Sequence, residues 1–124
     1  MSIFEDQFNF MTVARQTEFD STSLYCSLVA EEYREWDSVN GELIELHEDV
    51  KETVDLIVVA TGYLISLLGN AEKAQKSWNL VHATNMAKAE AGQKRDDGKV
   101  IQHDEYKKVL KAKLMADLRE LMNE

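Results

Sequence analysis

Apolar residues recur at helical spacing through most of this chain and divide it into five predicted helices. These helices span about Ser2 to Arg15, Thr22 to Val39, Leu43 to Leu68, Ala71 to Ala91 and Asp104 to Met122. Asp20 or Ser21 can cap the second helix, and Asn40-Gly41 breaks the chain after it. Gly69-Asn70 closes the third helix, and the polar residues 92–99 are predicted to form a loop. The pattern predicts an all-α bundle of four to five helices.

The third predicted helix is apolar on nearly every side, which is typical of a central helix. Its apolar residues after Asp55 are Leu56, Ile57, Val58, Val59, Ala60, Tyr63, Leu64, Ile65, Leu67 and Leu68. This run is too short to span a bilayer, so we expect no membrane segment. The last helix adds a stripe of Tyr106, Leu110, Leu114, Leu118 and Leu121. Because short neighbours cannot cover the third helix, we expect a closed homo-oligomer, most often one with two-fold symmetry.

Carboxylates continue the apolar stripe of the second helix and interrupt the third. Leu24 and Leu28 are followed on the same face by Glu31, Glu32 and Glu35, and Glu52 and Asp55 stand one turn apart in the third helix. Converging carboxylates repel each other unless protons or metal ions neutralise them, and oxygen ligands favour Mg²⁺, Mn²⁺ or Ca²⁺. Because the chain offers no Lys or Arg between Glu52 and Leu68, a metal is the simplest partner for the acids.

The alternative for these acids is a solvated surface, which Glu pairs at helical spacing usually mark in a chain with 30% charged residues. The pair Glu52 and Asp55, embedded in an apolar helix, favours the metal site. Four other acids lie in the polar stretch between the second and third helices, and we expect most of them at the surface: Glu42, Glu45, Glu48 and Asp49.

The fourth predicted helix carries polar residues on an otherwise apolar face. Ala74, Trp78 and Val81 are followed on that face by Asn85 and Lys88. Next to an acidic metal cluster, an amide and an ammonium group are suited to phosphate oxygens. Without such a cluster, Lys88 would extend its ammonium to solvent and Asn85 would cap a turn.

Composition narrows the classes of function. A chain of 124 residues is predicted to form one domain, residues 1–124, and the absence of Pro favours an all-helical fold. A net charge of −9 argues against binding a nucleic acid polymer but allows a nucleotide held through metal ions. The single Cys26 cannot form an internal disulfide, and no signal peptide is visible in the first ten residues. We therefore expect a cytoplasmic protein.

Two acidic segments of this chain are separated by 16 residues: Glu31-Glu32-Tyr33-Arg34-Glu35 and Glu52-Thr53-Val54-Asp55. Together they resemble the EExxE…ExxD motif of the all-α nucleoside triphosphate pyrophosphohydrolases. The segment from Val81 to Lys88, followed by Asp97-Gly98-Lys99-Val100 and Tyr106, is similar to small MazG-like and phosphoribosyl-ATP-pyrophosphohydrolase-like proteins, many of them phage-encoded. The resemblance covers roughly Leu24 to Tyr106.

This resemblance implies a MazG-like helical bundle that assembles into homodimers or homotetramers and converts a (deoxy)nucleoside triphosphate into a monophosphate and pyrophosphate. It implies Mg²⁺, replaceable by Mn²⁺, on Glu32, Glu35, Glu52 and Asp55, with Glu31 as a further ligand or a residue that positions water. Glu31 and Glu35 are the expected catalytic residues. Asn85, Lys88 and Lys99 would contact substrate phosphates, and a phage-encoded protein would act in the host cytoplasm.

Two rival classes have different requirements. A di-iron bundle needs Glu-x-x-His pairs, and none of His47, His82 and His103 follows a Glu at that spacing. A non-catalytic helical interaction protein is compatible with the acidity of the chain and stays the alternative. The base is not specified, although Phe8, Phe10, Met11, Gln16 and Trp78 are candidates to contact it.

Overall fold

The computed structural model describes residues 2–18, 20–39, 45–101 and 104–124. Within these ranges the helices are α1 (Ile3–Val13), α2 (Thr22–Val39), α3 (Leu46–Leu68), α4 (Ala71–Ala91) and α5 (Asp104–Met122). The all-α prediction is confirmed for them, with one small exception. β1 (Gln93–Lys94) and β2 (Val100–Ile101) pair antiparallel, with Gln93 opposite Ile101 and Lys94 opposite Val100. The segment predicted as a loop, residues 92–99, therefore contains β1 and the turn of a minimal hairpin.

Local capping explains where the first helices begin and end. The Ser2 hydroxyl accepts a hydrogen bond from the Glu5 N–H at 3.2 Å and starts α1. α1 stops at Val13, earlier than predicted, and Arg15 has a left-handed φ of 61°. The Asp20 carboxylate accepts from the Thr22 N–H at 3.0 Å, so Asp20 supports the start of α2. The expected break at Asn40-Gly41 lies outside the described residues.

The end of α3 agrees with the prediction, whereas its start differs. Gly69 adopts φ 97°, and its N–H donates to the Ile65 carbonyl at 2.7 Å. The helix begins at Leu46 in the described part of the chain, and the predicted start at Leu43 lies outside it.

The chain forms two compact units, Met1–Ala74 and Gln75–Glu124. The prediction of a single domain stays a prediction. In the first unit, α3 packs against both α1 and α2. The buried core residues there are Phe4, Met11, Tyr25, Ile65 and Ala74. In the second unit, Leu121 is buried and Tyr106, Leu110, Leu114 and Leu118 are half-buried, so the predicted stripe of α5 is confirmed.

Tyr25 joins three parts of the first unit. Its ring lies against α3 at Gly62, and a Cβ atom added to Gly62 would lie 2.6 Å from Tyr25 Cδ1 and 2.8 Å from Cζ. Its hydroxyl donates to Gln16 Oε1 at 2.6 Å and accepts from Gln7 Nε2 at 3.0 Å. The ring is 1% exposed, so both of these polar contacts satisfy a buried group. The contact between Tyr25 and Gly62 therefore fixes how closely α2 and α3 approach each other.

Several apolar residues of α3 are exposed among the residues that the structure describes. Its exposed apolar residues are Val50, Val54, Ile57, Val58 and Leu67. This agrees with the expectation of a large apolar face on the monomer, whereas the expected assembly itself stays a prediction. No single helix in the described ranges combines the length and the apolar character needed to cross a bilayer.

We predict that Gly62→Ala destabilises the protein by about 1–3 kcal/mol, the usual cost of overpacking a filled core. An added methyl group would overlap the Tyr25 ring and force α2 and α3 apart. The measurement is the free energy of unfolding in urea. Ala is the better helix former, so local propensity alone would raise stability.

Gly69→Ala is the control for this prediction. No atom lies within 4 Å of a Cβ at Gly69, so only its left-handed φ opposes the substitution. We expect a loss of about 1 kcal/mol there. A Gly62→Ala protein as stable as the wild type would show that the Tyr25 contact does not limit the approach of the helices.

Candidate metal centre

Three carboxylates from two helices converge in the first unit. Oxygen atoms of Glu32 on α2 and of Glu52 and Asp55 on α3 lie within 4.8 Å of one another. The Tyr25–Gly62 contact determines which residues of α2 lie opposite which residues of α3. Glu32 follows Tyr25 by seven residues and Asp55 precedes Gly62 by seven, so each acid lies about two helical turns from that contact on the same face. The same packing that builds the core therefore brings the acids together.

The separation of these oxygens suits a shared divalent cation. Oxygen ligands on opposite sides of one ion are about 4.2 Å apart for Mg²⁺ and up to about 5.2 Å apart for Ca²⁺. Three oxygens within 4.8 Å of one another can therefore bind one ion after only a small adjustment of rotamers. All three side chains are half-buried, which limits competition from water.

Two of the carboxylate oxygens lack a partner. Glu32 Oε2 and Glu52 Oε2 are buried, and no donor in the described part of the chain reaches either atom. A buried acceptor without a hydrogen bond costs about 1–3 kcal/mol, and more when it is charged. An ionised carboxylate only accepts, so a cation or a proton must offset this cost. The donor set thus fits a hard metal ion.

The local field favours the protonated form of Glu32 in the metal-free protein. Burial raises the pKa of Glu32 above its ordinary value, and the charge of Glu35 and a hydrogen bond with it add to the effect. Asp55 and Glu52 raise the pKa of Glu32 further through their negative charges. Glu35, although exposed, therefore lies close enough to belong to the same electrostatic cluster.

Lys51 is a member of this cluster that sequence reasoning missed. Its Nζ lies 2.7 Å from Asp55 Oδ2 and 3.5 Å from Glu52 Oε1. The hydrogen bond to Asp55, and then the charges of Asp55 and Glu52, raise the pKa of Lys51 above its ordinary value. Lys51 lies one residue before Glu52, just outside the span up to Leu68 that contains no Lys or Arg. The i, i+4 spacing of Lys51 and Asp55 was the signal that identifies the pair.

The remaining predicted site residues do not join the converging oxygens. Glu31 is exposed on α2 and is not one of the three ligands that meet. Asn85 is exposed and Lys88 is half-buried on α4, and Lys99 is exposed after the hairpin turn. These last three belong to the unit Gln75–Glu124, whereas the acids belong to the unit that ends at Ala74.

Several residues of the hairpin turn and of the predicted base contacts have structural partners. Arg95 donates to both oxygens of Asp97, at 2.6 and 3.2 Å, and Asp97 also accepts from the Lys99 N–H at 3.1 Å. Met11 is a core residue, and Gln16 accepts from Tyr25. These contacts assign Arg95 to the turn and Met11 to the core.

No protein family, curated protein or solved structure matches this chain. The resemblance to the MazG-like proteins therefore rests on its motif residues, and the geometry of the acids stands beside it as a separate observation.

We predict that Glu32→Gln stabilises the metal-free protein at neutral pH. Because the pKa of Glu32 is raised in the folded state, its ionisation favours the unfolded chain. This loss of stability begins as the pH rises above the ordinary glutamate pKa and is complete above the raised one. The gain from Glu32→Gln should therefore be present at neutral pH and vanish in acid. Urea unfolding in EDTA from about pH 4 to about pH 8 measures it.

Glu31→Gln is the matched control, since Glu31 is the neighbouring, exposed glutamate. It should change the unfolding free energy little across the same pH range. Equal pH profiles for the two variants would contradict the burial and repulsion assigned to Glu32.

Proposed function

We propose that this protein is a metal-dependent (deoxy)nucleoside triphosphate pyrophosphohydrolase that releases a nucleoside monophosphate and pyrophosphate and acts in nucleotide-pool control or sanitation. The observation that carries the proposal is the convergence of Glu32, Glu52 and Asp55, two of which have a buried carboxylate oxygen without a donor. The EExxE…ExxD motif supplies the reaction class.

In this proposal Glu32, Glu52 and Asp55 hold Mg²⁺, which Mn²⁺ can replace, and Glu35 completes the acidic shell. A cation held there would neutralise charge on the phosphate oxygens and lower the pKa of water. Glu35 is the exposed acid beside this group, and with Glu31 it is suited to orient the attacking water and accept its proton. The water oxygen bonds to the α-phosphorus while the bond to the pyrophosphate oxygen breaks.

The substrate phosphates are assigned to the second unit. Asn85, Lys88 and Lys99 provide an amide and two ammonium groups, which are suited to oxygens that the metal leaves uncovered. The support for this assignment is the family motif together with the position of Asn85 and Lys88 one turn apart on α4.

A groove of about 350 Å³ between α1 and α3 is a suitable place for the base. Phe10, which is 56% exposed, lines it, together with Asp6, Gln7 and Thr61. Val58, another lining residue, lies one turn beyond Asp55 on α3. An aromatic face next to polar groups suits a planar heterocycle.

We further propose a homodimer or homotetramer in the cytoplasm, or in the host cytoplasm if the protein is phage-encoded. The exposed apolar residues of α3 support assembly, because such a face is usually covered by a second copy. The same face supports the alternative, a non-catalytic helical interaction protein. Metal-dependent release of pyrophosphate separates the two.

We predict Mg²⁺- or Mn²⁺-dependent conversion of at least one nucleoside triphosphate into equimolar monophosphate and pyrophosphate. Asp55→Asn should lower kcat/KM by roughly 100-fold or more, because it removes a charged ligand from the cluster. Asp117→Asn is the matched control, since Asp117 also pairs with a lysine at i, i+4 on a helix of the second unit. The measurement is chromatography of the products across a panel of nucleotides.

Two results would contradict this proposal. One is a product mixture of nucleoside diphosphate and orthophosphate, which places cleavage at the terminal phosphate. The other is the absence of turnover on every nucleotide with either metal, which would favour the interaction protein.

We also predict that Lys88→Ala raises KM roughly tenfold, the effect of losing one charge-assisted hydrogen bond to a phosphate. Lys111→Ala, at an exposed position of α5, is the control and should leave KM unchanged. Initial rates over a range of nucleotide concentrations measure both. Equal, small effects would remove Lys88 from the phosphate site.

A further inference from the structure

We propose that Lys51 is an intramolecular counter-ion of the metal centre: its ammonium group pairs with Asp55 and Glu52 in the metal-free protein and competes with the divalent cation for them. This inference rests on the proposed function, because it assumes that the converging acids bind a metal ion. It adds a basic residue to a site that otherwise consists of acids, and it gives that residue a role in setting the metal affinity.

The position of Lys51 makes it part of the site rather than of the general surface. It lies one turn before Asp55 on α3, so its side chain extends along the helix to the acids. Its Nζ donates to Asp55 Oδ2 at 2.7 Å and is 3.5 Å from Glu52 Oε1. One ammonium group therefore contacts two of the three converging carboxylates.

Exposure allows this ammonium group to leave. The Lys51 side chain is 67% exposed, whereas the Asp55 side chain is 33% exposed. The lysine can thus rotate into water at little cost, while the acids stay in place on the packed face of α3. The ammonium group of Lys51 does not reach Glu32 Oε2 or Glu52 Oε2, which have no donor. It therefore neutralises only part of the charge of the cluster.

Binding of a divalent cation and pairing with Lys51 oppose each other. Both need the negative charge of Asp55, and a lysine that stayed in place would repel the incoming ion. A monovalent and a divalent cation about 6 Å apart in a water-like dielectric repel each other enough to change an affinity roughly tenfold. Lys51 therefore stabilises the acids when metal is scarce and raises the metal concentration needed to load the site.

The test is Lys51→Met, which removes the charge and keeps most of the apolar stem. Calorimetric titration of the full chain with Mn²⁺ alone, without nucleotide and at low ionic strength, measures the affinity. We expect binding about three- to tenfold tighter than in the wild type, and a lower Tm in EDTA because the acids lose their counter-ion. Lys51→Arg, which keeps the charge, should keep the wild-type affinity.

Lys113→Met is the matched control. Lys113 also pairs with an aspartate four residues later, at 3.5 Å, and the two side chains are 77% and 35% exposed. In the described part of the chain, Asp117 does not belong to a group of three acids whose oxygens lie within 4.8 Å of one another. Its loss should leave Mn²⁺ affinity unchanged, and the effect of Lys51→Met should shrink as salt screens the charges.

The outcomes separate the inference from the proposed function. If the wild type binds Mn²⁺, Glu32→Gln abolishes binding and Lys51→Met leaves the affinity unchanged or weaker, the inference on Lys51 is overturned and the metal site stands. If the wild type binds no Mn²⁺, or Glu32→Gln binds as well as the wild type, the metal site is overturned and the inference with it.

Discussion

The close approach of α2 and α3 at Tyr25 and Gly62 is the constraint on which the rest of the first unit depends. The ring occupies the space that any side chain at residue 62 would need, and its hydroxyl is held by Gln7 from α1 and by Gln16 from the connecting segment. One buried side chain thus positions α1, α2 and α3 together. Because helices are stiff, a contact fixed at one point also fixes the register two turns away.

The acidic cluster is a consequence of that register and conflicts with the stability of the fold. Packing α2 against α3 brings Glu32, Glu52 and Asp55 together although their charges repel. A fold selected for stability alone would place apolar residues there, as it does at Leu28 and Val59. Acids held beside a core at such a cost are typical of a functional site.

The ion pair between Lys51 and Asp55 changes the interpretation of the acidic motif. Spacing alone indicates repelling carboxylates that require a metal, whereas the folded chain provides one cation of its own for Asp55 and Glu52. That cation is exposed and leaves two buried oxygens without donors, so it neutralises the cluster only in part. The repulsion between the charges is thereby reduced but still present.

The sequence by itself determined the elements. Helical periodicity and caps predicted α2, α4 and α5 nearly to the residue, because those signals are local, whereas the hairpin pairing of Gln93 with Ile101 needed a contact between separate segments. The EExxE…ExxD motif also identified acids that share one face of a helix. Only the tertiary structure decided that Glu32 meets Glu52 and Asp55 while Glu31 does not, since that choice depends on the packing of α2 on α3. Likewise, a sequence cannot show that residue 62 must lack a side chain, because the reason is a ring 37 residues away in the chain.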